Sequence, residues 1–435
     1  MQDNRRFVIR VPKTEKIIND LIQYIICICI LFNGNAVWKY LANGPTASGR
    51  LPYTILTYVL AVICIVYSLV RTFFTDTIVR KRFVEGIFLI IAYNLFYIAM
   101  SRYGVTGFLA EFLLPLISFT IFVSVLMRNN ELESFFVKLS NVIFILAVLS
   151  LAAYFLGAIM HVIPEDRVVL LRNGHRYTIR SYFGLTYIGQ EGMFLGQDVL
   201  KNTGIYLEAP GWALPLTLGI FVELFIKEKR SLFRILVIIF TAITAFSTKA
   251  FITVPLLLVA DFMRDKNHRD KALAKIKVVI APLLILAFIM GAVYLIQLKS
   301  TDSVISFTQR GEDTVAALNV WKNYLLLGCG FGNLSAFEVY LTYQSESSIA
   351  SGMLKMFAQC GLFIGIEVLF LASYICRKKY EADRYKWACL LLVYVIYLLV
   401  SSTWTNTTLI FMISIGCATL CGSNQEPKEE EKWTN

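Results

Sequence analysis

Residues 235–263 read ILVIIFTAITAFSTKAFITVPLLLVADFM, a stretch that is apolar almost throughout. As one helix it would be about 43 Å long, well beyond the ~30 Å hydrocarbon core of a bilayer. Basic loops bracket it, from Lys227 to Arg234 and from Arg264 to Lys277, so both of its ends belong on one side of a membrane. We therefore predict two short helices that meet at the polar kink 247–249, as a tight hairpin or a re-entrant pair.

Further apolar blocks recur along the whole chain. Of its 435 residues 57% are hydrophobic and only 16% are charged, whereas soluble proteins carry charge on about a quarter of their residues. We predict an all-α fold, a polytopic membrane helix bundle of about 12 transmembrane helices, with one integral membrane domain over residues 1–422. The predicted spans are 17–40, 53–74, 84–100, 108–127, 139–160, 205–226, 235–247, 249–263, 278–297, 353–376, 387–402 and 407–422.

The lysine and arginine residues predict the orientation of these spans. If both termini are cytoplasmic, 28 of the 41 lysine and arginine residues fall in cytoplasmic segments. The net charge of +11 is then mostly a topology signal, and we expect no nucleic-acid binding. The first apolar block begins near Ile17 without a small-residue cleavage site after it, so we expect it to stay as a span. The polar tail, 423–435, is predicted to be disordered in the cytoplasm.

Two long loops, 161–203 and 298–352, are predicted on the extracytoplasmic face, and their aromatic residues and glycines indicate ordered structure. In the first loop Arg172, Arg176 and Arg180 are four residues apart, so a helix would place them on one face, with His175 among them and Lys201 closing the loop. An anionic partner would balance these charges, and arginine suits phosphate oxygens. A solvated face or contact with lipid headgroups is the alternative.

A carboxylate and a lysine lie inside the predicted membrane. Glu208 is about one turn inside the sixth span beside Pro210, and Lys249 lies at the kink in 235–263. Charged groups at such depth are costly unless they are paired or hydrated, so both are functional candidates. Burial would also make the Glu208 carboxylate more basic, as a general base requires. The alternative is a structural ion pair of Glu208 with Lys201 or Lys249.

The second loop contains Arg310 and the run Gly328-Cys329-Gly330-Phe331-Gly332. The run lacks the lysine of a phosphate-binding loop, so a tight turn, in which glycine tolerates positive φ, is the simpler explanation. Eight of the nine cysteines lie in or beside apolar blocks, and the three histidines are scattered, which makes a zinc site improbable.

Four stretches, in this order, resemble motifs of the O-antigen and capsular polysaccharide polymerase family, which is related to the O-antigen ligases. They are GIYLEAPGWA after a basic loop, AFSTKAF, Arg310 followed by LLLGCGFGN, and SGMLKMFAQCGLFIG. The resemblance covers about residues 200–370. Ala209 between the glutamate and the proline, Lys201 in place of an arginine, and Lys249 in place of a small or hydroxyl residue depart from the family pattern.

The resemblance implies a metal-independent glycosyltransferase without cofactors, in the cytoplasmic (inner) membrane of a bacterium. Its substrates would be oligosaccharide repeat units linked to undecaprenyl pyrophosphate, and a chain-length regulator protein would be a partner besides the lipid bilayer. The acceptor hydroxyl would attack the anomeric carbon of the donor while pyrophosphate leaves, which requires a base and cations. The candidate base is Glu208, with His175 second. The candidate substrate-binding residues are Arg172, Arg176, Arg180, Lys201, Lys249, Arg310 and Glu346.

Two other functions remain open. An O-antigen ligase would share the fold, but residues 342–356 lack the histidine that ligases carry before the closing helix. A flippase for lipid-linked oligosaccharides would be a transporter, for which we would expect internally repeated halves. We see no such repeat.

Overall fold

The computed structural model of the chain describes residues 13–41, 50–74, 81–101, 103–172, 175–194, 197–264, 290, 297, 304–341, 352–376, 384–400 and 404–422. The predicted span 278–297, apart from residues 290 and 297, and the tail 423–435 lie outside these residues. Within them the protein is mainly helical. The helices are α1 (Lys13–Phe32), α2 (Arg50–Phe74), α3 (Lys81–Met100), α4 (Val105–Arg128), α5 (Leu132–Ile159), α6 (Ala209–Ile226), α7 (Leu232–Thr244), α8 (Thr248–Met263), α9 (Val304–Asn323), α10 (Ser335–Glu338), α11 (Gly352–Ser373), α12 (Arg384–Val400) and α13 (Thr407–Leu420).

Several of these helices have the length and composition of membrane spans. Among the described residues, six apolar helical segments are long enough to cross a bilayer, and α7 and α13 are shorter apolar helices. Large apolar side chains also face outward, with Phe73, Phe88 and Leu89 each more than two-thirds exposed. Such a surface is stable when lipid covers it. The coarse prediction of a multi-pass helical membrane protein is therefore supported.

Contacts between helix termini define the two opposite ends of the bundle. The Arg71 guanidinium at the end of α2 lies 2.6 Å from Glu131, which precedes α5, and 3.5 Å from Glu15 in the first turn of α1. At the other end, the Tyr206 hydroxyl before α6 donates to the Leu31 carbonyl at the end of α1, over 3.0 Å. We call the end that contains Leu31 and Tyr206 the strand end, because the β-strands lie there.

The apolar stretch 235–263 forms two helices, as predicted. The first, α7, ends at Thr244 and the second, α8, begins at Thr248. Between them Phe246 has a φ of 45°, in the left-handed region that non-glycine residues rarely occupy. At the opposite end Arg230 donates to the Leu224 carbonyl at the end of α6 and to the Asp261 carboxylate near the end of α8. The two helices thus form a hairpin whose turn lies at the strand end.

The first long loop is built from β-strands, and the predicted helix through its arginines is wrong. Strands β1 (Asp166–Arg172), β2 (His175–Tyr182) and β3 (Thr186–Ile188) form one antiparallel sheet, and β4 (Gln190–Phe194) and β5 (Gln197–Lys201) form a second. The sequence between β1 and β2 is Asn173-Gly174, a dipeptide typical of hairpin turns, and both strands are rich in β-branched and aromatic residues. These local preferences override the four-residue spacing of the arginines.

The second long loop contributes α9 and a glycine-rich segment that reaches α11. In α11 the residue Gly361 has φ 66° and ψ −169°, which breaks the helix. The chain at 325–330 lies along this break, and its backbone bonds to residues on both sides of it: Cys329 N–H to the Ala358 carbonyl and Leu362 N–H to the Leu325 carbonyl, each 2.9 Å. Two motif stretches that lie about 30 residues apart in the chain are thereby joined.

Candidate functional site at the strand end

The first two motif stretches meet through Asn202, the residue after β5. Its backbone N–H donates to the Thr244 carbonyl over 3.0 Å, and its side-chain amide donates to the Thr244 hydroxyl over 3.2 Å. The same amide lies 3.3 Å from the Ser150 hydroxyl in α5. Asn202 therefore ties the segment that leads to Glu208 to the turn between α7 and α8.

Helices α6 and α8 run parallel, so their N-termini lie at the same end of the bundle. The Thr217 hydroxyl in α6 lies 2.8 Å from that of Thr253 in α8 and 3.0 Å from the Tyr397 hydroxyl in α12. Glu208 precedes α6 by one residue and Lys249 is the second residue of α8. The two side chains that the sequence singled out inside the membrane thus belong to neighbouring helix starts.

Glu208 is the N-cap residue of α6 rather than a residue within a span. Its backbone is extended, with φ −132° and ψ 142°, and its carbonyl accepts from the Gly211 N–H over 2.9 Å. Its side chain makes no capping bond and is half-buried. The positive end of a helix dipole favours a carboxylate here, which explains why this charge is tolerated at the edge of the bundle.

Lys249 is placed against the helix dipole. It is half-buried in the first turn of α8, where a cation is disfavoured, and its Nζ lies 6.0 Å from the centre of the Tyr397 ring. The contact with the aromatic face is at the outer limit of a cation–π interaction. An anion bound beside the start of α8 would offset the unfavourable dipole.

Lys201 and Arg310, one from each long loop, lie close enough for their charges to interact. Burial lowers the pKa of the Lys201 ammonium, and the Arg310 cation lowers it further. Lys201 is in β5 and Arg310 is an exposed residue of α9. An anion bound beside Lys201 would offset both effects on its ammonium.

Arg180 already has two carboxylate partners. Its guanidinium lies 3.2 Å from Glu191 in β4 and 3.6 Å from Glu165 before β1. The register of the first sheet pairs Arg180 with Arg167. From the sequence, the Arg180 guanidinium was expected to bind an anionic substrate. In the structure the two carboxylates already balance its charge.

For the other candidate site residues of the first loop, the structure gives only their positions in the β-hairpin. Arg172 pairs with His175, and Arg176 pairs with Leu171. Arg176 and Arg180 lie four residues apart on β2, whereas Arg172 lies on β1, where its register partner is His175. The single helix face predicted for the three arginines is thus wrong. Glu346 lies outside the described residues.

The glycine run is a tight turn held against the broken helix. Gly328, Gly330 and Gly332 all have positive φ, as the simpler explanation of this run predicted. A Cβ on Gly328 would lie 2.3 Å from the Gln359 backbone. The turn also seats Phe331 against the ring of Trp404 at 5.9 Å.

The four stretches that carry the family resemblance thereby form one connected set. Asn202 links the first to the second, backbone bonds link the glycine run to α11, and Arg310 lies within electrostatic range of Lys201. Sequence reasoning missed Asn202 and Gln359, whose side-chain oxygen accepts from the Trp404 indole over 3.3 Å. Gln359 is an ordinary polar residue within the fourth motif stretch and Asn202 lies two residues before the first, so only their partners reveal them.

No protein-family model matches the chain, and neither a curated protein nor a solved structure gave a match. Across the part of the chain that the structure describes, there is no group of three or more histidine, cysteine, aspartate or glutamate residues placed to hold a metal ion.

Proposed function

We propose that this protein is a polysaccharide polymerase, a glycosyltransferase that joins repeat units linked to undecaprenyl pyrophosphate into O-antigen or capsular polysaccharide at the outer face of the cytoplasmic membrane. The anomeric C–O bond to the donor pyrophosphate breaks while a new C–O bond forms to the acceptor hydroxyl. The acceptor proton passes to a base, and undecaprenyl pyrophosphate leaves. The reaction therefore needs an anion-stabilising region and a carboxylate close together.

The observation that carries this proposal is the convergence of the four motif stretches at one end of a membrane bundle. They are distributed over about 170 residues, yet Asn202 and the break at Gly361 connect them in pairs, and Arg310 lies within electrostatic range of Lys201. A set of weak motifs that merely occurred by chance would have no reason to share one location. Their order along the chain supports the family, and their location supports a common site.

The residues at the strand end have distinct proposed roles. Lys201, Lys249 and Arg310 bind the pyrophosphate of the donor, because burial and the Arg310 cation disfavour the charge on Lys201 and Lys249 opposes a helix dipole. Glu208 accepts the proton of the acceptor, and His175 is the second choice for this role. Arg180 has a weaker role than the sequence indicates, since two carboxylates already hold it.

The proposal is tested by deleting the gene in its host and examining the surface glycan. A polymerase predicts that long glycan is lost while single repeat units are still transferred to their final carrier. Loss of every transferred unit, including single ones, would point to a ligase. Accumulation of lipid-linked units on the cytoplasmic face would point to a flippase.

Complementation of the deletion strain then tests the site. Glu208→Gln and Lys249→Met should leave only single units at normal protein levels. The matched controls are Glu228→Gln and Lys229→Met, since both residues are exposed in the loop at the opposite end of the bundle. Restoration of full-length glycan by Glu208→Gln would exclude Glu208 as the base.

A further inference from the structure

A carboxyl group and an amide are paired inside the bundle, away from the site described above. Glu367 of α11 is 9% exposed and Asn94 of α3 is fully buried. The Asn94 side-chain nitrogen donates to Glu367 Oε1 over 2.8 Å and to the Ile90 carbonyl over 2.9 Å. Both N–H groups of the amide are therefore used, and the Ile90 carbonyl fixes which amide atom is the nitrogen, because a carbonyl can only accept.

This pair leaves two acceptor oxygens without a donor. Asn94 Oδ1 and Glu367 Oε2 are both buried and have no hydrogen-bond partner among the described residues. Buried polar atoms are rarely left unsatisfied, and each one needs an explanation. Here the two orphaned atoms belong to the two groups that already share a hydrogen bond.

No cation compensates the carboxyl group. Among the described residues, Glu367 forms no ion pair with a lysine, arginine or histidine, whereas Glu223, a fully buried glutamate, lies 2.7 Å from both Lys227 and Arg234. The titratable groups that face Glu367 from the packed helices are the Tyr93 hydroxyl on α3 and the Cys417 thiol on α13. Neither carries positive charge, so an ionised Glu367 would be an unbalanced charge in the membrane.

We infer that Glu367 is a proton-binding site: it carries a proton on Oε2 at neutral pH and forms a carboxylic acid–carboxamide pair with Asn94. The proton turns Oε2 into a donor, which then bonds to Asn94 Oδ1 while Asn94 Nδ2 continues to donate to Oε1. One proton thus satisfies both orphaned oxygens and removes the charge. The ligand is a proton alone, so no cavity is needed.

The proton holds α3 to α11 just below the helix break. The neighbouring residues of α3 make contacts across the same seam: the Tyr93 hydroxyl donates to the Phe363 carbonyl over 2.8 Å, and their rings stack at 4.0 Å. The Tyr97 hydroxyl lies 3.4 Å from the Gln359 carbonyl on the other side of the break. The acid–amide pair adds a buried contact to this seam, on the same side of the break as Phe363.

Infrared spectroscopy of the purified protein tests this inference. The C=O stretch of a protonated carboxylic acid is separate from the carboxylate bands. At pH 7 the difference spectrum between wild type and Glu367→Gln should show one acid band, which shifts in D₂O. The matched control is Glu223→Gln, for which the difference should show loss of carboxylate bands instead, because Glu223 lies 2.7 Å from both the Lys227 ammonium and the Arg234 guanidinium.

A carboxylate difference for Glu367→Gln would overturn the inference. If Glu367→Gln does not yield folded protein, the spectra of the wild type and of Glu223→Gln decide. An acid band at pH 7 in both proteins supports the proton site, and the absence of this band overturns the inference. The readout does not depend on polymerase activity, so it separates this inference from the proposed function.

A second measurement uses stability. A proton held by the folded state and released by the unfolded chain makes stability fall as the pH rises. The melting temperature of the wild type should therefore decrease relative to Glu367→Gln between about pH 5 and about pH 9. Parallel melting curves for the two proteins over this range would contradict a bound proton.

Discussion

Replacement of Gly361 by alanine tests the join between the glycine run and the broken helix. Gly361 has φ 66° and ψ −169°, a region that is almost exclusive to glycine. A Cβ at this position would lie 2.1 Å from the Leu326 carbonyl oxygen and 2.6 Å from the Gly328 nitrogen. Both are backbone atoms, so the clash cannot be relieved by a side-chain rotation. The chain at 326–328 would have to move.

The expected loss of stability has two parts. A non-glycine residue in this conformation costs about 1–3 kcal/mol. The movement also breaks the bonds from the Leu362 and Phe363 N–H groups to the Leu325 and Leu326 carbonyls, which are 2.9 and 3.0 Å long. Each contributes about 0.5–1.5 kcal/mol. The free energy of unfolding should therefore fall by about 2–6 kcal/mol.

Two other glycines provide matched controls. Gly332 also has a positive φ, 73°, but nothing lies within 4 Å of its added Cβ, so Gly332→Ala should cost only the strain, about 1–2 kcal/mol. Gly311 lies in α9 with open space around it, and alanine there should be neutral or stabilise by up to about 1 kcal/mol. Thermal unfolding in detergent, followed with a dye that reacts with the buried cysteines, should rank Gly311→Ala above Gly332→Ala and Gly361→Ala last. Equal melting temperatures of Gly361→Ala and Gly311→Ala would refute the contact between the glycine run and the broken helix.

Three further predictions concern the strand end. The double variant Glu208→Gln/Lys249→Met should not restore long glycan in the deletion strain, because each residue has its own role; restored glycan on gels would reveal a structural ion pair instead. Arg310→Ala should abolish long glycan, whereas Arg180→Ala should only shorten it, since two carboxylates already hold that guanidinium; equal loss in both would contradict this difference. Burial and the Arg310 cation lower the pKa of Lys201 in the folded protein, so the unfolded chain binds more protons between that pKa and about 10.4 and stability rises with pH there. Lys201→Met should lose this rise when melting temperatures are compared from neutral to alkaline pH, and an unchanged slope would count against the buried ammonium.

The helices were predictable because their signal is local. An apolar block with basic flanks requires a span, and 235–263 was too long for one helix and had Ser247-Thr248-Lys249 at its centre. The structure places α7 and α8 on either side of that triplet. Helix ends were less accurate: the first span was predicted to reach residue 40, but α1 ends at Phe32 and the chain then pairs with the segment before Glu208.

The β-hairpin in the first loop was missed although its signals were present. The spacing of the arginines was interpreted with helical geometry, while Asn173-Gly174 and the alternation of polar and apolar residues in β2 favour a hairpin. In a strand, residues four apart also share a face, so spacing alone could not distinguish the two structures for Arg176 and Arg180. The position of Arg172 does distinguish them, since it pairs with His175.

The contacts between motif stretches were beyond sequence reasoning. Neither the bond from Cys329 to Ala358 nor that from Asn202 to Thr244 has a local signal, because each depends on how distant segments pack. The same holds for the pair of Asn94 and Glu367, which lie 273 residues apart. The sequence could identify Glu367 only as a costly charge in a span.

The most direct test of the proposed function is polymerisation by the purified protein. Lipid-linked repeat units extracted from the deletion strain would be the sole substrate, and the protein in lipid nanodiscs the sole enzyme. The account predicts a ladder of products that grow by one repeat unit, with one undecaprenyl pyrophosphate released for each new bond, and no ladder with Glu208→Gln. The account would be contradicted if the wild type and Glu228→Gln both made products of no more than one repeat unit.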